Sequence, residues 1–182
     1  MNITIRNARS EDAAAIAKVN IASWHSTYRG LIADATLDAM KPENYLLKWN
    51  TILTTSSEKS DSCFVVENEA SEIVGYTLSG KNLREKFRFD AELYAIYLLK
   101  EYQGQGIGKK LFLCSIEESK RQGFVSILLF VLSSNTGSRT FYESFNPDFT
   151  ADETIVIDNG QYCDICYGWS DIKRIGLSSS NT

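Results

Sequence analysis

A nearly all-apolar run at residues 91–99, broken only by Glu92, leads into a loop with glycines at 104, 106 and 108 and then into a helix-patterned segment at 109–122. The run is too apolar to face water on either side, so it is expected as a central strand covered on both faces. The glycine loop then sets several free backbone N–H groups at the positive end of a helix dipole, which makes an anion site. Glycine is needed there because a Cβ would keep phosphate oxygens from the amides and would close off the turn.

Familiar nucleotide loops do not fit. A P-loop needs glycine where Gln103 stands and Ser or Thr where Lys110 stands. A dinucleotide fingerprint begun at Gly104 or Gly106 needs Gly or Ala where Lys109 or Leu111 stands.

The other segments predict a mixed α/β domain. Residues 3–8 alternate as a short strand, and Ser10 is expected to cap a helix reaching about Ser23, with Asn20 the one polar residue on its apolar face. Short helices follow at 34–40 and 42–53, then a hairpin of 63–68 with 73–79 and a charged connection at 81–90. An apolar strand at 125–132, a helix at 136–144 and a last hairpin of 154–157 with 162–169, turned by Asp158-Asn159-Gly160, complete the pattern. The expected domain is 1–172, with 173–182 a frayed tail.

Of the 182 residues, 43% are hydrophobic and 23% charged, so a self-sufficient core is expected. A net charge of −4 argues against a nucleic-acid partner, which would require clustered Lys and Arg. No leader-like start and no membrane-length apolar window is present, so neither a membrane partner nor a location other than the cytoplasm is expected. The four cysteines are too scattered for a disulfide framework. Cys163 and Cys166 lack the second pair that a zinc set needs, and no metal is expected.

The order Gln-x-x-Gly-x-Gly after a strand, here Gln103 to Gly108, resembles the pyrophosphate loop of the GCN5-related N-acetyltransferase (GNAT) superfamily. The likeness runs over residues 91–145, through the apolar strand at 127–132, Asn135 and the run Arg139-Thr140-Phe141-Tyr142-Glu143. Where relatives follow that tyrosine with Leu-Gly-Phe, this chain has Ser144-Phe145-Asn146, and Asn146 can replace glycine in a left-handed turn.

The resemblance implies a central, largely antiparallel sheet of about seven strands flanked by helices. It implies that acetyl-CoA, a cosubstrate, is held by the main chain of Ile96, Tyr97 and Leu98, by Gln103, Gly104, Gln105, Gly106, Ile107, Gly108 and Lys109, and by Asn135 and Tyr142. The implied reaction is direct attack of a primary amine, borne on a small molecule or a peptide, in a ternary complex. Tyr142 is the implied general acid and Glu92 the general base, with Trp24, His25 and Tyr28 lining the acceptor pocket. A homodimer through the C-terminal strands is common in look-alikes. The rival reading is a catalytically silent acyl-CoA sensor, which would need neither Glu92 nor Tyr142.

Overall fold

The computed structural model describes residues 2–59, 61–84 and 86–176. Its strands are β1 (Thr4–Asn7), β2 (Ser62–Glu67), β3 (Ile73–Lys81), β4 (Ala91–Leu98), β5 (Ile127–Leu132), β6 (Phe149–Ile157) and β7 (Gly160–Trp169). They form one sheet in the order β1-β2-β3-β4-β5-β7-β6, antiparallel throughout except for the β4–β5 pair. Among the described residues the α-helices are α1 (Ala13–Tyr28), α2 (Asp34–Asp38), α3 (Pro42–Lys59), α4 (Ile107–Arg121) and α5 (Thr136–Glu143).

Both faces of the sheet are covered, as the apolar strands require. On one face Phe112 and Ile116 of α4 and Tyr142 of α5 pack with Leu93, Leu129 and Trp169. On the other, Ile16 and Ala17 of α1 and Trp49 of α3 pack with Val65, Tyr76 and Leu78. Asn20 is buried on that second face, where its Oδ1 accepts from Trp49 Nε1 at 3.1 Å. A buried amide is tolerable only when so satisfied.

Several boundaries differ from the sequence expectation. Residues 10–12 form a 3-10 turn before α1, and the Asp12 carboxylate, not Ser10, accepts the Arg9 N–H at 2.7 Å. Helix α1 continues past Ser23 to Tyr28, because Trp24 and Tyr28 bury their rings against each other, with centroids 4.9 Å apart, and against Leu132. Strand β6 starts at Phe149 rather than 154, its polar residues carried by register with β7 along its whole length. Asn146 holds φ 52°, the left-handed turn expected of it. Ile172 and Ile175 are buried in the core, so residues 173–176, expected as tail, pack on the domain; the remaining tail, 177–182, lies outside the described residues.

Candidate active site

Strands β4 and β5 pair only from Ala91↔Ile127 to Leu93↔Leu129. Directly after Leu93 the β3 register passes from Ser79↔Leu93 to Leu78↔Ala95, leaving Tyr94 as the extra residue of a bulge. A bulge bends its strand and ends regular pairing. Past it, the side of β4 facing β5 has no strand partner, and a cleft of about 650 Å³ opens between the two strands.

Ile96, Tyr97 and Leu98 form one wall of this cleft, and Phe130, Val131 and Asn135 form the other. Its floor is the loop after β4. Gln103 Nε2 donates to the Leu98 carbonyl at 3.0 Å and so ties the loop to the strand end. Gly104 and Gly106 hold φ of 72° and 77°, and a Cβ on either would point into open space. Gly106 is the N-cap of α4 and offers no side chain to the first-turn amides, so those N–H groups face the cleft uncapped. Lys100 and Lys109 line the same end. Uncapped amides, a helix dipole and two ammonium groups favour a phosphate-bearing ligand.

The acetyltransferase (GNAT) family model matches residues 23–146. The chain belongs to the acetyltransferase (GNAT) family.

The chain is 31% identical over 173 residues to the uncharacterized N-acetyltransferase YuaI of Bacillus subtilis, covering 95% of this chain and 96% of that one. It is 29% identical over 143 residues to the spermidine N(1)-acetyltransferase of Thermoplasma acidophilum, covering 78% and 86%. Its fold is similar to the PaiA N-acetyltransferase of Thermoplasma acidophilum in complex with coenzyme A, with TM-score 0.70, 23% identity and coverage of 91% and 98%. The acetyltransferase yncA of Salmonella typhimurium with acetyl-CoA has TM-score 0.69, 23% identity and coverage of 94% and 95%.

The residues singled out in this GNAT chain divide by position. Gly104, Gly106, Gly108, Gln103 and Lys109 reach the cleft, whereas the Gln105 side chain folds back to the Glu101 carbonyl at 2.7 Å and Ile107 is buried beneath the loop beside Leu98 and Leu111. These last two have only main-chain groups to offer a ligand. Asn135 lines the cleft and caps α5, its Oδ1 accepting from Ser138 N at 3.1 Å. Tyr142 lines the cleft with a buried ring, and no hydrogen bond engages its hydroxyl among the described residues. Burial holds that phenol far above its ordinary value.

Glu92 is on β4 as expected but does not line the cleft. It is buried on the opposite face, where Arg84 Nε donates to Oε1 at 3.3 Å and the Arg84 guanidinium lies 4.0 Å from the Phe130 ring centroid. Burial raises the Glu92 carboxyl and Arg84 opposes the rise. Of the expected acceptor residues, Tyr28 reaches the cleft; Trp24 packs behind it, and His25 Nδ1 is 3.1 Å from an Arg29 nitrogen outside the cleft. Tyr28 and Tyr97 are joined hydroxyl to hydroxyl at 3.0 Å.

Sequence reasoning does not single out Lys100, Phe130 or Phe141, which also line the cleft. Lys100 carried a usable signal, being a cation between an apolar strand and a phosphate-type loop. The two aromatics read as core. Among the described residues no His, Cys, Asp or Glu group is arranged to hold a metal, and no helix is long and apolar enough to cross a membrane.

Proposed function

We propose that this acetyltransferase binds acetyl-CoA in the β4–β5 cleft and transfers the acetyl group to a primary amine by direct attack in a ternary complex. The observation that carries the reading is the cradle of Gly104 and Gly106 beneath the uncapped start of α4, flanked by Lys100 and Lys109. Its free amides and ammonium groups match a pyrophosphate, and the open wall of β4 past Leu93 matches an amide-rich arm lying alongside it as an added strand would.

In this reading the loop amides and the two lysines hold the pyrophosphate, and the main chain of Ile96 to Leu98 orients the thioester. The Asn135 side-chain nitrogen, left over once the oxygen caps α5, donates to the pantetheine arm. Tyr142 supplies the proton that the departing thiolate takes as the C–S bond breaks. Its hydroxyl has no competing partner among the described residues, and burial keeps it protonated at every working pH. The acceptor approaches from the face that carries Tyr28. It is a small-molecule or peptide amine, and the spermidine acetylation named for a 29% identical relative supports the small-molecule branch. Cytoplasmic location and homodimer formation belong to the same reading, and no step above depends on either.

The test is release of free CoA thiol from acetyl-CoA across a panel of primary amines. Turnover with at least one amine and none with its tertiary analogue is the expected result. Tight acetyl-CoA binding with no release across the panel would replace the enzyme by a silent acyl-CoA sensor.

A further inference from the structure

Among the described residues, two carboxylates near the β4–β5 cleft are engaged by cations of the 81–90 connection. Glu92 is paired with Arg84, and Glu153 of β6 is paired with Lys86. His25, the one histidine, is held at Arg29. A further carboxylate is Asp164 of β7. It is half-buried, and among the described residues no hydrogen bond or ion pair reaches its carboxylate.

Its position follows from the register. Asp164 stands opposite Leu132 of β5 and opposite Glu153 of β6. Side chains alternate along a strand, so Asp164 shares the face of Cys166, which packs with Leu128, Phe87 and Phe130. Leu132 packs with Trp24 and Tyr28. The register therefore sets the carboxylate between the end of α1 and the Arg84–Phe130 pair, and the Tyr28 phenol, raised chiefly by burial, is raised a little further by the Asp164 charge. Tyr28 in turn lines the cleft and influences Tyr142. Asp164, like Glu92, is not itself part of the cleft lining, but its neighbour Leu132 packs on Tyr28 and its strand face is shared with Phe130, both Tyr28 and Phe130 being lining residues.

Resting on the acetyl-transfer reading above, we infer that Asp164 is a further catalytic residue, the base that takes a proton from the acceptor's ammonium group before attack. An alkyl ammonium must lose a proton to expose its lone pair. Two protons leave the nitrogen in all. The first passes to the Asp164 carboxylate and on to solvent, which yields the neutral amine that attacks the thioester carbon. The second leaves as the tetrahedral intermediate collapses and replaces the proton that Tyr142 gives to the sulfur, so the products are acetamide, CoA thiol and one released proton. Glu92 then serves a different purpose, holding Arg84 over Phe130 and so shaping the acceptor wall.

Among the described residues, the charged and titratable groups that act on Asp164 or feel its charge are Tyr28 of α1, Arg84 of the connection and Glu153 of β6. Burial pushes the Asp164 carboxyl up to about 6, against the lowering effect of Arg84 and with help from Glu153. A base in that range is ionised at pH 7 and still basic enough to be useful.

The experiment is kcat at saturating amine from pH 5 to 9 for the full chain and for Asp164→Asn, Asp164→Glu and Glu92→Gln, with acetyl-CoA affinity measured in parallel. The wild type is expected to lose rate below about pH 6, the value given by the raised Asp164 carboxyl. Asp164→Asn is expected to lose about 10²-fold in kcat at pH 7, within the usual range for a positioned base, with unchanged acetyl-CoA affinity and a rate that climbs with pH. Asp164→Glu should recover part of the loss. An Asp164→Asn profile unchanged in height and shape overturns the inference, as does a loss that tracks acetyl-CoA affinity or one seen only in Glu92→Gln. A wild type that releases no CoA with any amine overturns the acetyl-transfer reading, and this inference with it.

Discussion

The Tyr28 and Tyr97 hydroxyls lie 3.0 Å apart, and this contact ties the end of α1 to the β4 wall of the cleft. Burial pushes the Tyr97 phenol well above its ordinary range even though the residue is only partly buried along the cleft wall, so its hydroxyl is poorly solvated and gains from its partner. Tyr28→Phe removes that partner and keeps the ring. Leaving such a hydroxyl unmatched costs about 1–3 kcal/mol, and in a chain of this size each kcal/mol lowers the melting temperature by about 2–4 °C. Thermal denaturation should show a drop of at least a few degrees; an unchanged melting temperature would mean that water satisfies Tyr97.

Arg6 links β1 to the start of α1 and to β2. Its guanidinium donates to both Asp12 oxygens, at 2.6 and 2.9 Å, and to Glu67. The hydrogen bond from Arg6 holds the Asp12 carboxyl below its ordinary value despite burial. A depressed carboxyl stabilises the fold above its unfolded pKa near 4 and loses that contribution as pH falls through the folded value. Acid unfolding should therefore set in below about pH 4, and Asp12→Asn should cost about 2–3 kcal/mol at pH 7, less than a fully buried pair because Arg6 is partly solvated. Urea melts at pH 7 and pH 3.5 measure both; the gap between wild type and variant should shrink at the lower pH.

Tyr142→Phe keeps the ring that packs against Phe112 and Phe141 and removes only the hydroxyl. Acetyl-CoA affinity should hold while kcat falls by about 10²-fold, toward the low end for a general acid because a thiolate is already a tolerable leaving group. Since burial raises this phenol, its deprotonation should produce no alkaline fall in kcat below the ordinary phenol value near 10. Steady-state kinetics with a thiol reagent checks both points.

The strand, glycine loop and helix were legible because their signals are local: an unbroken apolar run, three glycines and an amphipathic repeat. The resemblance carried Tyr142 and Asn135 to the cleft for the same reason. The start of α4 was not legible. Gly108 is a poor helix former, so the pattern starts the helix at 109, but it lies inside α4 where the helix passes Leu98 and Phe141, each 3.7 Å from the place a Cβ would take. Nor was the cleft itself, since β4 and β5 part at a bulge whose extra residue, Tyr94, looks in sequence like any other strand aromatic.

The engagement of Glu92 by Arg84 and the solitary state of Asp164 among the described residues were equally hidden. Both depend on which charges meet across the 81–90 connection and the β6–β7 hairpin, and single-residue types do not encode such long-range pairings. The strand run around Cys163 and Cys166 was readable as strand. That the two sulfurs fall on opposite faces follows once β7 is in place, Cys166 being buried beside Leu128.

Acetyl-CoA titrated calorimetrically into the wild type and into Gly106→Val tests the central claim most directly. Gly106 holds φ 77°, which a β-branched residue cannot adopt without strain, and its missing Cβ faces the open cleft. The variant has its substitution in a loop at the cleft rather than in the core, so its circular dichroism should match the wild type. The wild type is expected to bind, and the variant to bind about 10²-fold more weakly or not at all, as loss of roughly 3 kcal/mol of charge-assisted phosphate contacts requires. Affinity retained within a few-fold would contradict the assignment of this loop to the pyrophosphate.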